Sequence, residues 1–189
     1  MNPSTGSELT WMRYDSPVGP LTVVAGSDGL RGLAFAGAAP PAGAVEGDLP
    51  ELSGQLDDYF AGARKKFEVE LDLRGEPLQL LVWKQLLEIP YGETISYGEM
   101  AERIDESAYP EGIEPYRRAR IVGAELGRNP IAVVVPCHRV IGADGSLVGF
   151  GGGLERKRAL LELEGAEFGR KATRSAAKRK VDDGQLGLL

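Results

Sequence analysis

The spacing of apolar and polar positions indicates strands in the first part of the chain. Residues 21–25 and 31–36 are rich in apolar side chains and flank a glycine-containing turn, which predicts a β-hairpin. Apolar residues at helical spacing between 52 and 60 predict a short helix. Apolar and charged residues alternate over 67–73, as expected of a half-exposed strand. Residues 1–76 are therefore predicted to form a small mixed α/β domain.

The pattern becomes helical from residue 77 onward. An amphipathic helix is predicted over 78–89, before Pro90. Ser96 followed by Glu99 matches a capping box, so a second helix should begin at Tyr97. The pattern then predicts, in order, a loop over 105–115, a third helix over 117–126, a short strand over 131–135 and a last helix over 154–164. Two short helices joined by a loop suggest a helix-turn-helix.

The predicted organisation is therefore an α/β protein with two domains and a tail. The mixed domain over 1–76 precedes a mainly helical domain over 77–168. Residues 169–189 are basic and lack an apolar period, and they are predicted to be a disordered tail.

Composition places the chain among globular proteins of the cytoplasm. The 189 residues are 42% hydrophobic, and the mean hydropathy is −0.19. No stretch approaches the roughly 20 apolar residues that span a bilayer, so we expect no contact with a membrane. The N-terminus lacks the pattern of a secretory signal. A single cysteine forms no intramolecular disulfide, which agrees with a reducing compartment.

Charge is distributed unevenly along the chain, whose net charge is −6. Residues 1–114 carry 8 basic and 20 acidic side chains, whereas residues 115–189 carry 14 basic and 8 acidic ones. This asymmetry indicates a polyanionic partner for the second half. Blocks of charge on solvated faces would give the same counts, and composition does not separate the two interpretations.

The chain's one cysteine and one histidine, Cys137 and His138, are neighbours. A thiolate is a nucleophile, and a nearby imidazole can accept the thiol's proton. The alternative is a buried, inert cysteine, a common situation for free thiols. One Cys and one His do not supply the four ligands of a Cys/His zinc site, so no metal is expected.

The predicted third helix carries a basic face that could contact DNA. Residues 115–139 contain a single acidic residue, Glu125, and these basic ones: Arg117, Arg118, Arg120, Arg128 and Arg139. Small residues such as Ala119 and Gly123 make this helix thin enough to fit a groove, and Arg120 is long enough to reach into the base stack. An ordinary helical hairpin with a charged solvent face is the alternative interpretation.

Three motifs resemble those of the O6-alkylguanine-DNA alkyltransferase family, which repairs DNA by direct reversal. They are IPYGETISYGEMA, GRNP and VPCHRVIG. The similarity extends from about Tyr14 to Gly165 and is densest over 82–165. It implies a ribonuclease-H-like N-terminal domain, then a helical domain with a helix-turn-helix. The implied partner is double-stranded DNA containing alkylated guanine, and we expect a monomer that needs no cofactor.

The resemblance also implies catalytic roles. Cys137 would accept the alkyl group, His138 would act as base through a bound water, and Glu164 would orient His138. Tyr97 matches a tyrosine that helps to protonate the leaving guanine. Asn129 matches an asparagine that braces the turn between the recognition helix and the active-site strand.

Further residues are expected to contact DNA or the flipped base. Arg120 would fill the stack after the base leaves it, and the other expected DNA contacts are Arg118, Ala119, Gly123 and Arg128. Val140 would offer its backbone carbonyl to the exocyclic amine of the base. The other residues expected around the substrate are Leu126, Phe150 and Gly151.

The implied activity is one irreversible transfer from O6 of guanine, and also from O4 of thymine, to Cys137. The main alternative is a non-enzymatic protein that binds alkylated lesions, although such relatives replace the acceptor cysteine. A thiol hydrolase would need more than the Cys-His pair, and a cysteine phosphatase would need arginine where Ala143 stands. A purely structural DNA-binding protein leaves the pair unexplained. This chain departs from the family pattern at Phe150, where tyrosine is frequent, and in an acidic insertion over 105–114.

Overall fold

The computed structural model describes residues 8–35 and 38–169. Its first half is built on a four-stranded sheet in the order β3-β2-β1-β4. The strands are β1 (Thr10–Ser16), β2 (Gly19–Gly26), β3 (Gly29–Phe35) and β4 (Val45–Glu46). Neighbouring strands among β1, β2 and β3 are antiparallel, whereas β4 pairs with β1 in parallel. The predicted hairpin is thus confirmed as β2 and β3, although the predicted second strand included Ala36, which lies outside the described residues.

Two strand predictions failed in the same way. Over 67–73 only Leu71 bridges to a strand residue, Leu30 of β3. Over 131–135 only Ile131 does so, with Leu33. The alternation over 67–73 and the continuous apolar run over 131–135 both reflect burial against the core, while the backbone of each segment meets β3 at a single residue along its outer edge. Strand β1 was missed because its side chains are mostly half-buried, which leaves little alternation to detect.

Five α-helices complete the described part. They are α1 (Pro50–Phe60), α2 (Pro77–Leu87), α3 (Tyr97–Glu102), α4 (Pro115–Leu126) and α5 (Leu154–Leu163). All five were predicted from the sequence, with boundaries within a few residues. The capping box at the start of α3 is confirmed, because the Ser96 hydroxyl accepts from the Glu99 amide at 3.1 Å while the Glu99 carboxylate accepts from the Ser96 amide at 2.7 Å. Single 3-10 turns occupy Glu106–Ala108 and Cys137–Arg139.

Helices α3 and α4 form the predicted helix-turn-helix. Met100 of α3 and Val122 of α4 are fully buried between them. Helix α2 supports the pair, because the Trp83 indole donates to the Glu125 carbonyl at 2.9 Å. The polar face of α4 is left exposed.

One buried core runs through both halves of the molecule. It joins Leu33 of β3 to Leu56 of α1 and to Leu86 of α2. A short parallel pair, β5 (Ile95–Ser96) with β6 (Val140–Ile141), ties the start of α3 to the segment after Cys137. None of the helices described is long and apolar enough to cross a membrane. The tail predicted over 169–189 lies outside the described residues, apart from Gly169.

Candidate active site

Cys137 is held at the end of a tight chain reversal that follows α4. Val133 within this reversal has φ of 71°, which is rare for a β-branched residue. Asn129 braces the reversal: its amide donates to the Val135 carbonyl at 2.8 Å and to the Cys137 sulfur at 3.2 Å, and its oxygen accepts from the Ile131 amide at 3.1 Å. The position of the thiol is therefore fixed by one side chain that follows the recognition helix.

Cys137 lies on the wall of a cavity of about 310 Å³. Three residues that the sequence assigned to the substrate, Leu126, Phe150 and Gly151, line this cavity. Part of the opposite wall comes from the end of β3, including Phe35. That contribution from the first half of the chain was not predicted.

A buried network surrounds the neighbouring histidine. The Nε2 atom of His138 lies 2.9 Å from Glu164 Oε1. Arg139 donates to the same carboxylate through Nε at 2.8 Å and Nη2 at 2.9 Å. Tyr59 of α1 donates its hydroxyl to Glu164 at 2.7 Å. The sequence counted Arg139 among the surface arginines, and this was wrong, because its charge is buried against Glu164.

This network fixes the protonation of the imidazole. Burial alone would raise the pKa of Glu164, but the hydrogen bonds from His138 and Arg139 outweigh burial and hold that pKa well below its usual range. An ionised carboxylate only accepts, so Nε2 of His138 must carry the proton it donates. Burial lowers the pKa of His138, which favours the neutral ring. Its Nδ1 atom, which has no hydrogen-bond partner in the described part of the chain, is then a free proton acceptor.

The thiol itself is not activated by its surroundings alone. Burial raises the pKa of Cys137, although the Asn129 amide and the nearby charge of Lys157 oppose the rise. A buried thiol with a raised pKa needs a base to become a thiolate. The neutral imidazole beside it in the chain is a base of the kind required.

Lys157 is a functional candidate that sequence reasoning missed. It is completely buried. Its ammonium donates to the carbonyls of Val140 at 2.6 Å, Val148 at 2.7 Å and Gly149 at 3.2 Å. Burial lowers its pKa to about 8, while the charge of Cys137 acts in the opposite direction. The lysine joins β6 to the loop before α5, and a buried lysine on an otherwise amphipathic helix leaves no signal in the apolar pattern.

Tyr97 lies where α3 meets this loop. Its hydroxyl is 3.1 Å from the Val148 carbonyl and 3.2 Å from the Gly149 carbonyl. Burial, and to a smaller extent the charge of Cys137, raises the pKa of Tyr97, so the phenol keeps its proton. Gly123 of α4 lies next to the Tyr97 ring, which an added Cβ would meet at 3.4 Å, an ordinary van der Waals distance.

The predicted DNA-contacting residues lie on or next to α4, but they differ in solvent exposure and in whether a carboxylate already pairs with them. Arg120 is exposed, and Ala119 and Gly123 are half-buried. Arg118 is paired with Glu106 of the acidic insertion and lies over the Tyr109 ring at 5.2 Å. A further predicted contact, Arg128, pairs with Glu125 at 2.7 Å.

Two family models match the chain. The ribonuclease-like domain of 6-O-methylguanine DNA methyltransferase matches residues 9–73, and the DNA-binding domain of the same protein matches residues 77–166. The chain belongs to the 6-O-methylguanine DNA methyltransferase family. This membership confirms the resemblance inferred from the three motifs, and the ribonuclease-like match agrees with the α/β fold class.

Individual members of the methyltransferase family are similar over most of the chain. The methylated-DNA–protein-cysteine methyltransferase of Mycobacterium tuberculosis strain H37Rv is 49% identical over 165 residues, covering 82% of this chain and 92% of that protein. The protein of the same name from Methanosarcina acetivorans is 42% identical over 159 residues, covering 81% and 96%. The crystal structure of M. tuberculosis OGT in complex with DNA matches with a TM-score of 0.72 at 49% identity, covering 82% of this chain and 92% of that one.

Proposed function

We propose that this protein repairs DNA directly, by moving an alkyl group from O6 of guanine to Cys137. The observation that carries the proposal is the single thiol of the chain, held by Asn129 on the wall of a cavity and followed by the buried His138–Glu164 pair. Membership of the methyltransferase family supports the same chemistry. Transfer from O4 of thymine would use the same groups.

The reaction starts with removal of the thiol proton. His138 accepts this proton at Nδ1 through a bound water, and Glu164 holds the ring and stabilises the imidazolium that forms. The Asn129 amide stabilises the thiolate. The sulfur then attacks the alkyl carbon, so that an S–C bond forms while the C–O6 bond breaks.

The electron pair of the broken bond passes to the guanine, which must gain a proton. The Tyr97 phenol supplies it, consistent with a pKa raised by burial and by the nearby cysteine. The Val140 carbonyl accepts from the exocyclic amine of the base with the lone pair that Lys157 leaves free. The product is a thioether that no group near the cavity would hydrolyse, so each protein acts once.

The target base must leave the duplex to reach the cavity, at a cost of a few kcal/mol. Arg120 is exposed on α4 and is proposed to fill the gap in the stack. Ala119 and Gly123 keep the helix slim beside it, while Arg118 and Arg128 would reach phosphates only by exchanging their present carboxylate partners. We place the reaction in the cytoplasm, since a single cysteine nucleophile requires a reducing compartment.

Intact-protein mass measurement tests the function. Incubation with duplex DNA carrying one O6-methylguanine should add one methyl group per chain, and Cys137→Ser should gain none. Several turnovers per protein molecule would contradict the proposal. A protein that binds this DNA without gaining mass would favour the alternative, a non-enzymatic lesion-binding protein.

A further inference from the structure

The first half of the chain forms one wall of the cavity that contains Cys137. The end of β3 reaches the active site because its outer edge pairs with the reversal after Asn129: the Leu33 amide donates to the Pro130 carbonyl at 2.9 Å, and the Ala132 amide donates to the Leu33 carbonyl at 2.8 Å. Phe35 is the next residue of the strand on the same face as Leu33. Its ring lines the cavity together with Phe150 and Gly151.

The Phe35 ring is packed tightly against the glycine-rich loop opposite. It meets the Phe150 ring edge-on, with centroids 5.5 Å apart. At Gly152 an added Cβ would lie 2.6 Å from Phe35, so the loop backbone lies directly against the ring. The Phe150 ring in turn faces His138 at 6.5 Å. The side chain at position 35 therefore determines how closely the loop can approach the reacting groups.

Arg156 of α5 clamps this arrangement. Its guanidinium lies over the Phe35 ring at 5.4 Å. It donates to the Val18 carbonyl at 2.7 Å and to the Gly152 carbonyl at 2.8 Å. Arg156 therefore joins the turn between β1 and β2 to the loop while its guanidinium covers the Phe35 ring, so both halves of the chain hold the group that packs on this ring.

We propose that Phe35 determines the largest alkyl group that Cys137 accepts, because its ring closes the cavity and fixes the position of the Phe150 loop. This inference rests on the proposed function and adds a specificity-determining residue from the domain that carries neither the thiol nor the DNA-contacting helix. A wall made by an aromatic ring can be trimmed or enlarged without touching the groups that carry out the transfer.

The test compares single-turnover transfer to Cys137 from duplexes that contain O6-methylguanine or O6-benzylguanine at the same position. Phe35→Ala and the more conservative Phe35→Leu should raise the benzyl-to-methyl rate ratio. We expect a rise of at least about tenfold for alanine, the lower end of what a change in a hydrophobic pocket produces. Phe35→Trp should lower the ratio. Thermal melting of each variant shows whether the fold is kept.

Trp11→Ala is the matched control, because it removes an aromatic ring from the same sheet at a position that does not line the cavity. Its rate ratio should stay at the wild-type value. Equal losses of methyl and benzyl transfer in Phe35→Leu and Phe35→Trp would overturn the inference and leave Phe35 a structural role. Absence of any methyl transfer by the wild type would instead refute the proposed function.

Discussion

At the scale of single residues, the Glu164 carboxylate organises the active site. It accepts hydrogen bonds from Tyr59 of α1, from His138 and from Arg139, which joins two distant parts of the chain to the end of α5. The resemblance implied only that it orients His138. The structure adds that it neutralises a buried arginine, so its charge contributes to stability as well as to chemistry.

Replacement of Glu164 by glutamine should therefore change how stability depends on pH. The folded-state pKa of this carboxyl lies below its ordinary value of 4.5. The stability it contributes is thus fully present above pH 4.5 and is lost as the pH falls through the folded-state pKa. Glu164→Gln should cost about 3–5 kcal/mol at pH 7, because it leaves Arg139 buried without its counter-charge. Denaturant unfolding at pH 7 and at pH 3 should show the gap to wild type narrowing in acid.

Glu162→Gln is the control for this experiment, since Glu162 lies two residues earlier and is exposed. It should change the unfolding free energy little at either pH. A gap between Glu164→Gln and wild type that is equally wide at pH 7 and pH 3 would show that the lost interaction does not depend on the charge of the carboxylate.

The residues of the site differed in how well the sequence revealed them. Cys137 and His138 drew attention as the chain's one thiol and one imidazole, but residue chemistry alone left an inert cysteine as the alternative, and the family motifs were needed to assign the pair a role. The expected bracing by Asn129 came from the family resemblance, and the structure shows its hydrogen bonds. Lys157 and Tyr59 could not be found, because each acts through contacts between segments far apart in sequence. In sequence Lys157 lies between two arginines and Tyr59 follows two aspartates, so each looks like an ordinary member of an amphipathic helix.

At the scale of elements, local signals predicted helices better than strands. The capping box at Ser96 is formed by a few neighbouring residues, and the start of α3 was found from it. Helix α4 begins at Pro115, two residues before its predicted start, because proline suits the first turn of a helix. Residues 67–73 and 131–135 have the apolar content of strands, but each meets the edge of β3 at one residue. Strand formation depends on a partner elsewhere in the chain, and the pattern of one segment does not reveal it.

The acidic insertion between α3 and α4 has a consequence for DNA binding. Glu106 holds Arg118 in an ion pair, so an arginine expected to contact phosphate already has a negative partner. Glu106→Gln should release Arg118 and raise affinity for duplex DNA of any sequence. The log-log salt slope should steepen by about 0.9, the value for one added phosphate contact on B-form DNA. Fluorescence anisotropy at several salt concentrations measures both quantities.

Glu111→Gln removes one negative charge from the same insertion at an exposed position and serves as the control. It should raise affinity slightly through the general field and leave the slope unchanged. Identical changes in the two variants would mean that Arg118 stays away from phosphate even when it is released.

At the scale of the whole molecule, the two predicted domains share one hydrophobic core, and both contribute residues to the active site. The sequence indicated a change of pattern near residue 77, and the family models match on either side of it. The structure shows one core across both halves, with β3 contributing to the cavity and α1 contributing Tyr59 to the Glu164 network.

Composition overstated the basic surface, because Arg139 is buried and Arg118 and Arg128 are paired with carboxylates. Of the arginines on α4, Arg117 and Arg120 are exposed.

These two exposed arginines should have different roles when the protein binds DNA, and their replacement should separate the two. Arg117→Ala should weaken binding to any duplex by the loss of a phosphate contact. Arg120→Ala should leave the gap of the extruded base unfilled, so that the unstacking cost of a few kcal/mol is no longer offset. Transfer from O6-methylguanine in duplex DNA should then slow strongly, whereas transfer from the free modified base, which needs no extrusion, should stay near the wild-type rate. Single-turnover rates for both substrates in the wild type and in each variant make the comparison. Should Arg120→Ala slow both substrates equally, Arg120 would belong to the chemistry or to the fold, and another residue would have to support the flipped state.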